Sequence, residues 1–423
     1  MRKAQVGDEV LITLENKKEE RGILLESHEA GILLLKLKSG YNIGIKKRDI
    51  KKIKVLKKVK EEKEQEGKIK MKGKPIVEMI ITGGTISSSL DVKTGAVKWL
   101  TSPSQLFKFY PDMFEKVDIR LQMPLMKASE NMNSEDWSKI AKIVVRALND
   151  HNVKGIIITH GTDFLHYTAS ALSFFLQDIN KPVVLTYSQR STDRGSSDAS
   201  LNLLCAAQAA LSDIAEVMLV GHASMKDDFC YALIGTKCRK MHTSRRDAFR
   251  PINCKPIAKV YPDKIEILGE HKKISKNKAK LDAVFEEKVA LIKFYPGQSP
   301  EILDYYLKKK YKGIVIEMSG LGHVITEGKN NWLPKLKQLI EKEMIVCAAP
   351  QTLYGRLDPL VYSPGRELEK IGVIYLEDML PETALVKLGY VLGHKLSKEK
   401  IKEMMLKNIA GEFNKRLGEE FLV

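Results

Sequence analysis

The sequence predicts an α/β fold: a small all-β barrel at the N-terminus, then a two-domain α/β architecture with a mainly parallel sheet. Three observations predict it. Five short apolar runs separated by turn residues fill the first 56 residues. A charged stretch almost free of large apolar residues, 57–75, then interrupts the chain. From Ile76 onward, strand-length apolar runs alternate with helix-length segments, the pattern of a parallel sheet covered on both faces.

The elements follow in order. "DEVLITL", "RGILLES", "GILLLKLKSGYNIGI" (two strands) and "DIKKIKVL" are the five short strands, and Gly40 and Asn42 supply the turn chemistry between two of them. Small barrels of this kind bind RNA or protein in many settings. Residues 57–75 read as a charged linker. The first α/β domain, 76–268, opens with the strand "IVEMIIT". "SEDWSKIAKIVVRALND" spaces Trp137, Ile140, Ile143 and Val144 for a helix, with Ser134 as its cap. "VKGIIITH", "KPVVLTYS" and "EVMLVGH" are strands, and "YTASALSFFLQDI" and "ASLNLLCAAQAALSDI" are helices between them. A lysine-rich segment, 269–285, breaks the pattern. A second α/β domain, 286–395, repeats the alternation through "VALIKFYP", "PEILDYYLKKK", "KGIVIEMS", "WLPKLKQLIEKEMIVCAA", "IGVIYLE" and "PETALVKLGYVLGH". The tail, 396–423, spaces its apolar residues for a helix through "SKEKIKEMMLKNIAGEFNKRL".

The totals bound the function. The chain has 423 residues, 43% hydrophobic and 29% charged, which suits a globular protein with a large core. No apolar run approaches the ~20 residues of a membrane span. "MRKAQVGDEV" has no apolar segment of the export type, and the five cysteines form no CxxC pair, so a cytoplasmic protein with reduced thiols is expected. The net charge of +17 fits either a phosphate-binding surface or a heat-adapted one rich in both Lys and Glu. No phosphate-binding GxxxxGK[ST] loop and no tight metal-ligand spacing is present.

Chemistry concentrates at two strand ends. "VEMIITGGTIS" closes an apolar run on Gly83 and Gly84, which allow a tight turn and close approach of a ligand, and Thr85 then presents a hydroxyl. "IIITHGTDF" ends a second run on Thr162 and Asp163. In open α/β sheets, ligands sit outside such carboxyl ends. A threonine hydroxyl is a weak nucleophile until a base takes its proton. A lysine steadied by a carboxylate can serve, and "TKCRKMHTSRRDAF" offers Lys237, Arg239 and Lys240 without spacing choosing among them.

"TGGTI" and "THGTD" on successive strand ends, followed by "QTLYGRLDPLVYSPGRELEKIGVI" and "PETALVKLGYVLG", resemble the L-asparaginase/glutaminase amidohydrolase family from Ile76 to about Lys395. The resemblance implies an asparaginase-like two-domain fold and an acyl-enzyme reaction. Thr85 is implied as nucleophile, with Thr162, Asp163 and Lys240 as a second catalytic cluster. Ser129 and Glu130 in "KASENM" are implied to grip the α-carboxylate and α-amino group of the substrate. One departure stands out: the family places a tyrosine in the loop after TGGTI, whereas here none occurs before Tyr110, and Val92 takes that place. Phe164 is also larger than the residue the family commonly carries there.

The barrel, the linker and the stretches "LLLKLKSGYNIGIKKRDIKKIKVL", "SQRSTDRGSSDASLNLLCAAQAAL", "KMHTSRRDAF" and "MMLKNIAGEF" resemble the archaeal-type family of amidotransferase D subunits that act on glutamyl-tRNA(Gln). That resemblance implies a glutaminase that is one half of a machine. Its implied partners are the amidotransferase E subunit, tRNA(Gln) through the complex and a second copy of the same chain, and its implied substrate is glutamine. No cofactor is implied for this chain, and ATP and Mg2+ belong to the E subunit. A stand-alone asparaginase would instead turn over asparagine without tRNA, and a non-catalytic RNA-binding scaffold would form no acyl-enzyme.

Overall fold

The structure, a computed structural model, describes residues 4–25, 27, 29, 31–37, 42–58, 71, 73–90, 97–99, 113–191 and 196–418. Five strands form the N-terminal unit: β1 (Glu9–Leu14), β2 (Glu19–Leu25), β3 (Ile32–Leu37), β4 (Asn42–Lys46) and β5 (Ile50–Lys57). All pair antiparallel in the order β4-β3-β2-β1-β5. Alternation places Val10, Ile12, Leu24, Leu33, Leu35 and Ile45 on one face as its core.

The main sheet has eight strands. β6 (Ile76–Ile81), β7 (Asp118–Gln122), β8 (Val153–Thr159), β9 (Val183–Thr186) and β10 (Val217–His222) run parallel. β11 (Cys230–Ile234), β12 (Ala258–Val260) and β13 (Ile265–Ile267) continue it antiparallel. The order is β13-β12-β11-β10-β9-β8-β6-β7. The chain passes from β6 outward to β7, then returns across β6 to β8, so the direction of winding reverses between β6 and β8. A crevice opens at such a point. Both faces of the sheet are covered: Val77, Met79 and Ile81 pack into one core cluster, while Ile80, Ile156 and Ile158 pack into the other.

The longer helices that cover this sheet are α1 (Ser134–Leu148), α2 (Leu165–Phe175) and α3 (Ala199–Ala210). The cap of α1 is Asn133, not the expected Ser134. Its side chain accepts from Asp136 N at 3.1 Å, and the Asp136 carboxylate accepts from Asn133 N at 3.2 Å. This reciprocal pair satisfies two end N–H groups at once, which Ser134 cannot do from inside the first turn. Ser134 Oγ donates instead to Glu287 Oε1 at 2.6 Å.

The C-terminal sheet is fully parallel: β14 (Val289–Lys293), β15 (Gly313–Met318), β16 (Ile345–Pro350) and β17 (Ile374–Tyr375). Its helices are α4 (Ile302–Lys308), α5 (Leu333–Glu341), α6 (Ser363–Lys370) and α7 (Pro381–Gly393). Helix α7 packs on α2: Ala384, Leu388 and Val391 share one buried cluster with Ala169, Leu172 and Phe174. The rings of Phe174 and Tyr390 stack at 5.8 Å. Between the two domains the chain is not plain linker, because Lys280–Leu281 pairs with Leu176–Gln177.

Helix α8 (Lys398–Leu406) begins the tail. It ends at Leu406, although the apolar spacing predicts a helix to the end of "FNKRL". Gly411 takes φ +78°, and the carboxylate of Glu412 is drawn into a buried pair with Lys387 at 2.6 Å. Tertiary contacts override the local pattern there.

Candidate active site

The crevice between β6 and β8 is lined by the two threonine-bearing turns. Thr82 N donates to Thr159 O at 3.2 Å, Thr82 Oγ1 donates to the same oxygen at 2.8 Å, and Ser87 Oγ lies 3.1 Å from Thr159 Oγ1. Gly83 and Gly84 take φ of +123° and +86°, which only glycine adopts without strain. A Cβ on Gly84 would stand 2.5 Å from His160 O and 2.6 Å from Gly161 N. The backbones of the two turns therefore touch at Gly84, and Thr85 and Thr162 each follow that contact by one residue. Thr85 is half-buried at the start of a short 3-10 turn, Thr85–Ser87.

Lys240 reaches this place from a separate hairpin, Cys238–Lys240 paired with Phe249–Pro251. Its Nζ lies 2.8 Å from Thr162 Oγ1 and 2.7 Å from Asp163 Oδ1. The lysine side chain is 10% exposed, while that of Asp163 is 63% exposed. Lys237, three residues earlier, points elsewhere and bonds Asp378 Oδ2 at 2.6 Å. The structure thus separates the lysines that spacing does not.

Ser129 is buried against the second turn: its Oγ accepts from Phe164 N at 3.3 Å, and a Cβ on Gly161 would lie 3.1 Å from it. The segment leading to it is docked by Lys127 N, which donates to Thr82 O at 3.0 Å, and by Lys127 Nζ, 2.7 Å from the buried Asp136 carboxylate. One carboxylate thereby closes the N-terminus of α1 and ties down the strand of chain carrying Ser129. Glu130 follows in the same 3-10 turn, exposed. Phe164 is 42% exposed beside Asp163, its ring 5.5 Å from that of Tyr167. Val92 and Tyr110 lie outside the described residues.

A buried chain of hydrogen bonds lies behind the turn, and sequence reasoning misses it. His160 Nδ1 lies 2.7 Å from Gly161 O, and its Nε2 lies 2.8 Å from Thr168 Oγ1, which accepts from Trp137 Nε1 at 3.0 Å. A carbonyl can only accept, so Nδ1 carries the proton and Nε2 accepts from Thr168. Complete burial holds His160 neutral, pulling its pKa down to about 4 against a smaller opposing pull from the Gly161 carbonyl. His166, further along α2, is lowered to about 3, first by burial and then by the positive charges of Arg239 and Lys240. A histidine between an apolar run and a glycine carries no local sign of this placement, because Thr168 lies on α2 and Trp137, which donates to Thr168, lies on α1. Among the described residues no group of three or more His, Cys, Asp or Glu could hold a metal ion.

Comparison with known proteins fits this geometry. Residues 76–273 match the asparaginase N-terminal family model, and residues 288–405 match the glutaminase/asparaginase C-terminal domain. Residues 4–56 match a model described as the GatD N-terminal domain. The glutamyl-tRNA(Gln) amidotransferase D subunit of Pyrococcus abyssi is 47% identical over 97% of this chain and 95% of its own length. The chain belongs to the family of glutamyl-tRNA(Gln) amidotransferase D subunits. The corresponding D subunit of Sulfolobus acidocaldarius is 42% identical, covering 97% of this chain and 92% of its own length. Among solved structures, the thermostable L-asparaginase from Thermococcus kodakarensis superposes with a TM-score of 0.73 at 32% identity, over 81% of this chain and all of its own. L-asparaginase I from Vibrio cholerae gives 0.70 at 29% identity, over the same 81% of this chain and all of its own. The D-subunit relatives extend over almost the whole chain, whereas the asparaginases leave about a fifth of it without a counterpart. Among the described residues, no helix is long and apolar enough to cross a membrane.

Proposed function

We propose that this chain is the glutaminase component of a tRNA-dependent amidotransferase. The observation that carries the reading is Lys240 Nζ bridging Thr162 Oγ1 and Asp163 Oδ1 beside the turn that bears Thr85. Thr85 Oγ1 attacks the side-chain amide carbon of glutamine, an Oγ–C bond forms, the C–N bond breaks, and the nitrogen leaves as ammonia. Water then cleaves the ester to release glutamate. Lys240 takes the Thr85 hydroxyl proton through Thr162 and returns it to the departing nitrogen, which leaves as NH3. In the second step it takes a proton from the attacking water and returns it to Thr85 Oγ1 as the ester breaks, with Asp163 holding the lysine while it is charged. Ser129 and Glu130 receive the α-carboxylate and α-amino ends of the substrate: a hydroxyl donates to the first, and a carboxylate accepts from the second.

The names of the relatives support the wider assignment. The E subunit would use ATP and Mg2+ to activate the glutamyl group on mischarged tRNA(Gln), and ammonia from this chain would complete the amide. The chain would work as a homodimer within that complex. The N-terminal unit and the full-length likeness to D subunits favour this over a stand-alone asparaginase.

The test is ammonia release from glutamine and from asparagine, with and without the E subunit and charged tRNA. Thr85→Ala is expected to abolish glutaminase activity while the complex still accepts ammonium as nitrogen donor. A Thr85→Ala protein that kept its glutaminase rate would remove the nucleophile assignment.

A further inference from the structure

The hairpin that delivers Lys240 is rooted in residues far along the chain. Ile252 N donates to Lys237 O at 2.8 Å and closes the root of the hairpin. Each side of that root is pinned. On one side, the buried Lys237 Nζ donates to Asp378 Oδ2 at 2.6 Å and to Asp378 O at 3.1 Å, and Thr236 Oγ1 donates to Ala410 O at 3.0 Å. On the other, Asn253 O accepts from Asn414 Nδ2 at 2.7 Å. Asn414 joins the two sides. Its Nδ2 also donates to Asp378 Oδ2 at 2.8 Å, and its backbone N donates to Asp378 Oδ1 at 3.1 Å. Both protons of the amide nitrogen are used, one on the hairpin root and one on the carboxylate that holds Lys237.

The tail that presents Asn414 has its own anchor. Glu412 and Lys387 pair at 2.6 Å with both side chains fully buried. Glu412 accepts from Ile409 N and Ala410 N, and Lys387 Nζ donates to Met405 O and Lys407 O. The stretch 408–416 lies past residue 405, where the match to the glutaminase/asparaginase C-terminal domain ends.

We propose that residues 408–416 form a clamp that sets the position of the Lys240 hairpin, and that Asn414 is its positioning residue. This rests on the assignment of Lys240 above. The side chain of Asn414 bonds Asn253 and Asp378, not Lys240; it acts by fixing where the hairpin leaves the sheet. A tail anchored at Glu412 and ending on the hairpin root couples Lys240 Nζ to the C-terminal domain.

The test uses the complete complex with three altered forms of this chain: Asn414→Ala, a chain ending after Phe413 that keeps the Glu412–Lys387 anchor, and Lys240→Met. For the first two, kcat for glutamine is expected to fall about tenfold to a hundredfold, as displacement of a reacting group by a fraction of an ångström to an ångström produces. KM should stay near the unaltered value, and the pH at which kcat rises should move. Thermal unfolding of each variant separates this from a loss of fold. Unchanged kcat in both tail variants would overturn the clamp. So would a loss that merely tracks the unfolded fraction with an unmoved pH profile. If Lys240→Met abolishes turnover while the tail variants keep full activity, the clamp fails and the site stands. If Lys240→Met turns over normally, the site assignment fails and the clamp with it.

Discussion

Gly84→Ala puts the contact between the two turns to a direct test. The new Cβ would meet His160 O at 2.5 Å and Gly161 N at 2.6 Å, and both are backbone atoms that cannot rotate away. Ordinary contact begins at 3.4 Å, so the turns must part by about 0.9 Å. The backbone at φ +86° adds its own penalty for a side chain, about 1–2 kcal/mol. Overpacking adds about 1–3 kcal/mol, for a total of about 2–5 kcal/mol. Gly297 supplies the control. Its φ is +81°, yet nothing lies within 4 Å of a Cβ there, so Gly297→Ala should lose only the backbone part, about 1–2 kcal/mol. Urea unfolding of the two variants measures the difference, and glutaminase assays at saturating substrate measure kcat. Parting Thr85 from Thr162 by most of an ångström should lower kcat by about a hundredfold in Gly84→Ala and leave Gly297→Ala active. Equal destabilisation of the two proteins, or a normal kcat in Gly84→Ala, would show that the two turns do not set each other's position.

Other expectations follow from the same physics. Lys387→Met strips the buried Glu412 of its partner and should cost about 3–5 kcal/mol in urea unfolding, whereas Lys387→Met with Glu412→Leu should recover most of that, because no uncompensated charge remains. Asn133→Ala should cost about 1 kcal/mol and Ser134→Ala much less, which urea midpoints resolve. The neutral, buried His160 makes folding pH-dependent: the unfolded chain takes up a proton below pH ~6.5, the folded chain only near pH 4, so stability is full above ~6.5 and falls by about 3 kcal/mol as pH drops through that window. His166, lowered for the same first cause, steepens the loss, and His160→Asn should flatten the curve measured by unfolding from pH 7 to pH 4.

What can be read in the sequence is local. The strand pacing after Ile76 and the glycines between threonines at two strand ends both express requirements of neighbouring residues: burial on two sheet faces, and backbone angles closed to side chains. They suffice to place Thr85, Thr162 and Asp163 at strand tips. The helix cap falls one residue away from the expected position because Ser and Asn both suit a cap. Asp136 makes the choice, since its carboxylate returns the bond to Asn133 and also meets Lys127. The end of α8 differs because apolar spacing continues past Leu406, while Glu412 answers to a lysine 25 positions back in the chain.

The lysines of the hairpin mark the limit most sharply. Lys237 and Lys240 share a residue type, a hairpin and a three-residue spacing, and either could steady a carboxylate. Only Asp163, 77 positions upstream, and Asp378, 141 positions downstream, tell them apart. The ion pair with Asp378 is dry, 1% and 0% exposed, and a charge sunk that far needs every partner it has. The pair with Asp163 keeps one oxygen-bearing group at the surface, where a substrate can approach and a proton can leave. Burial therefore separates the two: the lysine sealed from water with Asp378 holds the hairpin root, and the one paired with the exposed Asp163 is the one the proposed reaction can use.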